Sequence, residues 1–194
     1  MQSRPRLLVL ATLTATAAAL AAPSVVAAPS KTMLLRDAKG DISDELDIQR
    51  AKVSIDSKDR LRVAVTITAT AAPAAFLAAS GPPGSLCVRI WTATNADPKS
   101  QRPDRLACIT ARSRTALRGR VYEQDGPGLP EPVGSARVSR SKSNRSFIIR
   151  IRPSTLDDPR RVRLAVESNR PGCASASCID TVPAAPTTRR FRLR

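Results

Sequence analysis

Between Leu61 and Ile67 the apolar residues Leu61, Val63, Val65 and Ile67 alternate with Arg62, Ala64 and Thr66. A two-residue period of this kind predicts a strand with one face buried and one in water. The segment from Ile48 to Ile55 precedes it, across a tight turn at Asp56-Ser57-Lys58-Asp59, so the pair reads as a β-hairpin. Parity changes inside the first arm: Leu46 and Ile48 are even, whereas Ala51, Val53 and Ile55 are odd. A bulge or strand break near Gln49-Arg50 reconciles the two, because one extra residue returns the later side chains to the same face.

The same grammar recurs along the chain. Ser85 to Thr92 sets Leu86, Val88 and Ile90 against Cys87, Arg89 and Trp91, and a polar loop centred on Asp97-Pro98 leads to a partner arm, Arg105 to Thr110. Leu117, Gly119 and Val121 alternate with arginines, and the breaker cluster from Gly126 to Pro132 reads as loop. Gly134 to Arg140 and Ser146 to Arg152 form a hairpin across Ser141 to Arg145, with Phe147, Ile149 and Ile151 inward. Arg161 to Glu167 follows with Val162, Leu164 and Val166 buried, and Arg190 to Leu193 is a last short strand. Ala71 to Ser80 suits a helical turn or an irregular crossing, and Pro153 to Leu156 allows at most one helical turn. Eight or nine short strands, with turn signals at intervals of about ten residues and no long helical period, predict an all-β, antiparallel two-sheet sandwich. A closed barrel would give similar patterning.

The first 28 residues stand apart. Arg4 and Arg6 precede an apolar run from Leu7 to Ala22, and Val25-Val26-Ala27-Ala28 offers a small-x-small cleavage site, the layout of a secretory signal peptide. The run is short, rich in Thr and Ala, and stopped by Pro23, so it suits a bilayer span poorly. Residues 29–36 then read as a lead-in linker and residues 37–194 as a single domain, with no later membrane span. Export predicts a secreted or envelope-associated protein. In that oxidising setting the four cysteines form disulfides, and the bridges Cys87–Cys108 and Cys173–Cys178 are favoured among three connectivities. Residues 87 and 108 lie equally far from the Asp97-Pro98 loop centre, so a hairpin places them opposite each other.

Charge and chemistry narrow the function classes. The chain carries +16 at pH 7, and removal of Arg4 and Arg6 leaves 16 − 2 = +14. Such a balance attracts anionic polymers; its bland explanation is the Arg-over-Lys, Ala- and Pro-rich usage of a GC-rich bacterial genome. There is no histidine, which removes His-based nucleophile activation, His-ligated zinc and His proton shuttles together. The adjacent acids Asp44-Glu45 and Asp157-Asp158 cannot span a cleft as a glycosidase pair must, so no catalytic residue is assigned and the protein is read as non-enzymatic. Five of the sixteen acids fall between Asp37 and Asp47. Within that loop Asp37 and Asp41, joined by Asp180 if the first and last strands are neighbours, are the candidate Ca²⁺ ligands, since hard cations take carboxylate oxygens. The same residues also suit a turn. Trp91, with Arg89 on the same face, is the candidate ligand-binding pair. The densest basic surface is the hairpin carrying Arg137, Arg140, Lys142, Arg145, Arg150 and Arg152; it lacks interleaved aromatics for base stacking, which argues against nucleic acid.

The motifs Asp37-Ala38-Lys39-Gly40-Asp41, Leu46-Asp47-Ile48, Pro153-x-x-Leu156 and Asp180-x-x-Pro183 resemble those of secreted bacterial β-sandwich domains grouped with family 9 carbohydrate-binding modules and the DOMON superfamily. The resemblance spans most of residues 37 to 186 and implies a jelly-roll-like sandwich with sugar- or haem-binding relatives. Sugar-binding members use paired aromatic clamps, whereas this chain has one Trp and one Tyr. Haem-binding members use an axial Met and His, whereas this chain has no His and, once processed, only Met33. The expected function is therefore a secreted, non-enzymatic binding module for an envelope glycan or anionic polymer, without cofactor other than Ca²⁺. The competing expectation is a structural or protein-interaction domain stabilised by Ca²⁺.

Overall fold

The computed structural model describes residues 32–37, 45–92, 102–124 and 128–194. The signal-peptide reading, Asp41 and the Asp97-Pro98 loop centre lie outside them. Eleven strands are formed among the described residues: β1 (Thr32–Arg36), β2 (Ile48–Ile55), β3 (Leu61–Ile67), β4 (Ser85–Trp91), β5 (Arg105–Ala111), β6 (Leu117–Glu123), β7 (Glu131–Arg140), β8 (Ser146–Ile151), β9 (Arg161–Asn169), β10 (Ile179–Val182) and β11 (Arg189–Arg192). Short 3₁₀ turns occupy Pro73–Phe76, Pro153–Leu156 and Ala176–Cys178. No helix among the described residues is long and apolar enough to cross a membrane.

The all-β antiparallel expectation holds, but the separate two-sheet sandwich of eight or nine strands does not. One ladder runs β1-β2-β3-β8-β7-β6-β5-β4-β9-β10, with β11 also on β9, and rolls into a nearly closed barrel. The cause is β7. Its first half, Glu131 to Ala136, pairs with β6, and its second half, Arg137 to Arg140, pairs with β8. Backbone hydrogen bonding therefore passes without a break from one half of the sheet to the other. A strand that changes partners along its length makes a corner where two separate sheets would have had edges.

Two strands escape the periodicity argument. Thr32 to Arg36 pairs over its full length with β2, so the segment read as a linker belongs to the sheet. Its Met33-Leu34-Leu35 run hides the alternation, because Leu34 points outward and is 45% exposed while Leu35 is buried. Ile179 to Val182 pairs with β9, again with an outward apolar residue, Ile179. Pro132, read as loop, lies within β7 beside a register shift opposite Val121 and Tyr122, where a residue without an N–H is tolerated. The bulge near Gln49 is present as a register shift between Ile48 and Arg50.

Inward side chains from both halves form one core, including Val53, Val65, Ile90, Ile109, Ile149 and Leu164. Phe76, delivered by the Pro73–Phe76 turn, meets Phe147 edge-to-face with ring centroids 5.5 Å apart. Cys87 and Cys108 are Cα partners on β4 and β5 and form one disulfide; Cys173–Cys178 closes the loop before β10. Two disulfides fit an extracellular or otherwise oxidising environment.

The β7 corner and the β2–β3 turn each depend on an identifiable residue. A Cβ at Gly119 would lie 2.5 Å from both the Ala136 carbonyl oxygen and Val138 Cγ2, at the point where β7 leaves β6. At the turn, the Asp56 carboxylate accepts the Lys58 amide (2.9 Å), the Arg60 amide (3.1 Å) and Arg60 Nε (2.8 Å). Burial alone would push the Asp56 carboxyl upward, but the Arg60 guanidinium and these amides outweigh it and bring its pKa down from 3.8 to about 2.

Gly119→Ala is expected to destabilise the protein by about 1–3 kcal/mol in chemical denaturation, because a backbone carbonyl cannot move aside as a side-chain tip can. Asp56→Asn tests the turn through its pH dependence. A depressed carboxyl pKa contributes stability above the unfolded value and loses it as pH falls through the folded one. The variant should thus be about 1–2 kcal/mol less stable than wild type at pH 7. That difference should vanish as pH falls from 3.8 to about 2.

Candidate functional site

Two assemblies of charged residues are brought together by this topology: a basic sheet face and an acidic seam. The basic face is the outer side of β1, β2, β3, β8 and β7. Away from the irregularities in β2 and β7 side chains alternate, so those opposite core residues face outward. Register then decides which of them are neighbours. One row crosses all five strands as Thr32, Ser54, Arg62, Arg150 and Arg137, each directly opposite the next. Arg36 is likewise opposite Arg50, and Lys52 lies between Leu34 and Ala64. Like charges directly opposite each other on a sheet are destabilising. This face nevertheless contains the run Arg62–Arg150–Arg137, and no carboxylate occurs among the outward residues of β1, β2, β3, β8 and the β8-paired half of β7; Glu131 lies at the far end of β7, beside β6.

The cations are held in place by short polar side chains and one acid at the rim. Arg150 Nη1 donates to Ser139 Oγ at 2.9 Å, and its Nε lies 3.7 Å from Asp56 Oδ2. Arg60 Nη2 meets the same oxygen at 2.7 Å. Two connected hollows open here. One, of about 760 Å³, is lined by Lys58, Arg60, Arg137, Arg152 and Arg194, together with Asp59 and Asp158. The second, of about 340 Å³, shares Arg60, Arg137 and Arg152 with it and adds Arg150. A third hollow of about 560 Å³ on the same face is lined by Arg50, Lys52, Arg62, Thr66 and Ser146.

On the other half of the barrel Arg163 and Arg161 likewise stand opposite Arg190 and Arg192, but two arginines there have carboxylate partners. Arg105 binds Glu123 at 2.5 Å and Asp157 at 2.6 Å, and Arg89 Nε lies 3.5 Å from Glu167. Burial pushes the Glu167 carboxyl above its ordinary value, and Arg89 offsets part of the rise. Trp91 is only 3% exposed. The Arg89 and Arg163 guanidinium carbons sit 5.3 and 5.7 Å from its ring centroid, and Ala185 to Thr188 lie against the same spot. The space left there is about 20 Å³. Trp91 and Arg89, the predicted ligand pair, are thus neighbours, but the indole presents no open face on which a sugar could stack.

The acidic seam lies where the two ends of the ladder approach. Asp37, Asp47 and Asp180 each bring one oxygen to within 4.8 Å of the other two. Asp47 and Asp180 are each 3% exposed, and Asp37 is half-buried. Asp180 Oδ2 accepts the Ile48 amide at 2.6 Å, and Asp47 Oδ2 accepts the Thr68 hydroxyl at 2.7 Å. Asp47 Oδ1 is buried and meets no hydrogen-bond donor among the described residues. If all three carboxyls are ionised, each pair repels by roughly 3 kcal/mol at an effective dielectric of about 20. Asp37 and Asp180, predicted as partners, do come together, and Asp47 joins them; Asp41 lies outside the described residues. Alternation counted from Ile48 would turn Asp47 outward. Asp47 precedes the first residue of β2, where strand alternation no longer applies, and it is buried.

No protein-family model, curated protein or solved structure matches this chain.

Proposed function

We propose that this protein is a secreted, non-catalytic module that binds an anionic polymer of the cell envelope through the outer face of β1, β2, β3, β8 and β7. The observation that carries the reading is the Arg62–Arg150–Arg137 row. Three guanidinium groups on adjacent strands cost stability in the free protein, and a ligand of regularly spaced negative charge removes that cost on binding. Strands stand about 4.8 Å apart, so the row presents cations at a spacing comparable to charge repeats along a linear polyanion. The hollows on either side widen it into a track.

Selectivity follows from what the face lacks. It carries no aromatic ring in its outward strand positions, so neither a sugar ring nor a base has a stacking platform. Recognition is then by charge and by hydrogen bonds from Arg, Ser and Thr, with bidentate guanidinium contacts to phosphate or carboxylate. Affinity of this kind falls steeply with salt as counterions are released. The reading rests on the charge of this face and not on likeness to glycan-binding domains.

Calorimetry with long-chain polyphosphate and polygalacturonate as anionic probes, and cellohexaose as the neutral one, provides the test. Both anionic polymers should bind, with log Kd rising linearly with log salt, and cellohexaose should not. Combined Lys52→Glu, Arg62→Glu and Arg137→Glu substitutions should weaken anion binding by roughly tenfold or more. Salt-insensitive binding of cellohexaose, or anion binding unchanged in the triple variant, would overturn the proposal.

A further inference from the structure

We infer that Asp37, Asp47 and Asp180 form a Ca²⁺ site that clasps the two ends of the rolled sheet together. The site borders the Arg36–Arg50 end of the basic face, and the inference does not rest on the polyanion reading. Three separate segments contribute: Asp37 follows β1, Asp47 precedes β2, and Asp180 lies within β10. In the ladder β1 and β10 are the two outermost strands, so no backbone hydrogen bond of the sheet joins them. What joins the β2 end to β10 instead is the Asp180 carboxylate, through its bond from the Ile48 amide.

Three features favour a hard divalent cation at this point. The donor set is all carboxylate oxygen, which Ca²⁺ prefers and softer metals do not. The spacing fits as well. Ligands on opposite sides of a Ca²⁺ at about 2.4 Å stand about 4.8 Å apart, and the three oxygens lie within 4.8 Å of one another. The deciding feature is Asp47, which is 3% exposed and keeps Oδ1 without a donor while Thr68 and the backbone hold the rest of the residue in place. A buried carboxylate oxygen with no donor, in a cluster of three acids, is satisfied by a cation directly. Ca²⁺ suits the site better than Mg²⁺, because ligands drawn from three backbone segments make a large, adaptable cage.

The site is positioned to matter for stability. Asp47 anchors β2 to Thr68 after β3 through both its carbonyl and its carboxylate, and Asp180 holds the opposite edge. A bound ion would draw these ends together and replace mutual repulsion with shared coordination. Outside the cell, where Ca²⁺ is abundant, a site with a Kd of about 10⁻⁴–10⁻³ M stays occupied.

The full chain, stripped with chelator and titrated with CaCl₂, should show a saturable rise in melting temperature and bind Tb³⁺ in competition with Ca²⁺. Asp47→Asn keeps the shape of the side chain and its bond from Thr68; it should weaken Ca²⁺ binding by roughly tenfold or more and remove most of the thermal shift. Asp59→Asn, on a distant turn, should leave both unchanged. Should Asp47→Asn fail to fold, Asp37→Asn at the half-buried position supplies the same comparison. A Ca²⁺-induced shift equal in wild type and Asp47→Asn places the ion elsewhere and overturns the inference, as does the absence of any shift or Tb³⁺ binding in wild type.

Discussion

The hydrogen-bond ladder of β7 is divided between two neighbours, and most of the molecule follows from that division. Glu131 to Ala136 belong with β6 and Arg137 to Arg140 with β8. The change of partner turns a corner that only a residue without a side chain permits on the facing strand, at Gly119. Past the corner, both halves of the sheet face one core, and a single inside and outside are defined for every strand. The chain's arginines, too costly to bury unpaired, are thereby assigned to the outer surface or to carboxylate partners.

How the charges are then sorted differs in part between the two halves, although Arg163 and Arg161 on β9 also stand opposite Arg190 and Arg192 on β11. Around β4, β5 and β9, Arg105 and Arg89 find Glu123, Asp157 and Glu167, and Trp91 lies beneath two guanidinium groups. Around β3, β8 and β7, arginines meet arginines, and the nearest acid is Asp56 at the rim. Carboxylates are scarce against 32 basic residues, and three of them are gathered at the seam between the ladder's ends. The sequence places its acids where they organise turns and close the barrel, leaving the five-strand face positive. The alignment of Arg62, Arg150 and Arg137 spans three strands, whereas the Arg163–Arg190 and Arg161–Arg192 pairs join two.

Periodicity made the strands with one wet face legible: β3, β4, β6, β8 and β9 all alternate cleanly, and the parity change at Gln49 located a bulge. The mirror spacing of Cys87 and Cys108 about a loop likewise foretold their register. Closure was not legible, because which strand follows which in space depends on long-range pairing that alternation does not encode. β1 and β10 were obscured by outward apolar residues, Leu34 and Ile179. The basic face shows the same limit. Arg62 and Arg150 are recognisable as outward residues one at a time, but their adjacency needs the β3–β8 register. Asp37 and Asp180 were found by residue type and the expected closeness of the first and last strands, whereas Asp47 was counted with its acidic neighbours but not singled out, because residue type alone does not separate them.

Arginine Nε shifts recorded by NMR while long-chain polyphosphate is added would test the anion-binding face most directly. The account predicts that the largest changes fall on Arg50, Arg62, Arg137 and Arg150, with Arg89, Arg105 and Arg163 little affected. Changes spread evenly over all arginines, or centred on Arg89 and Arg163, would contradict it.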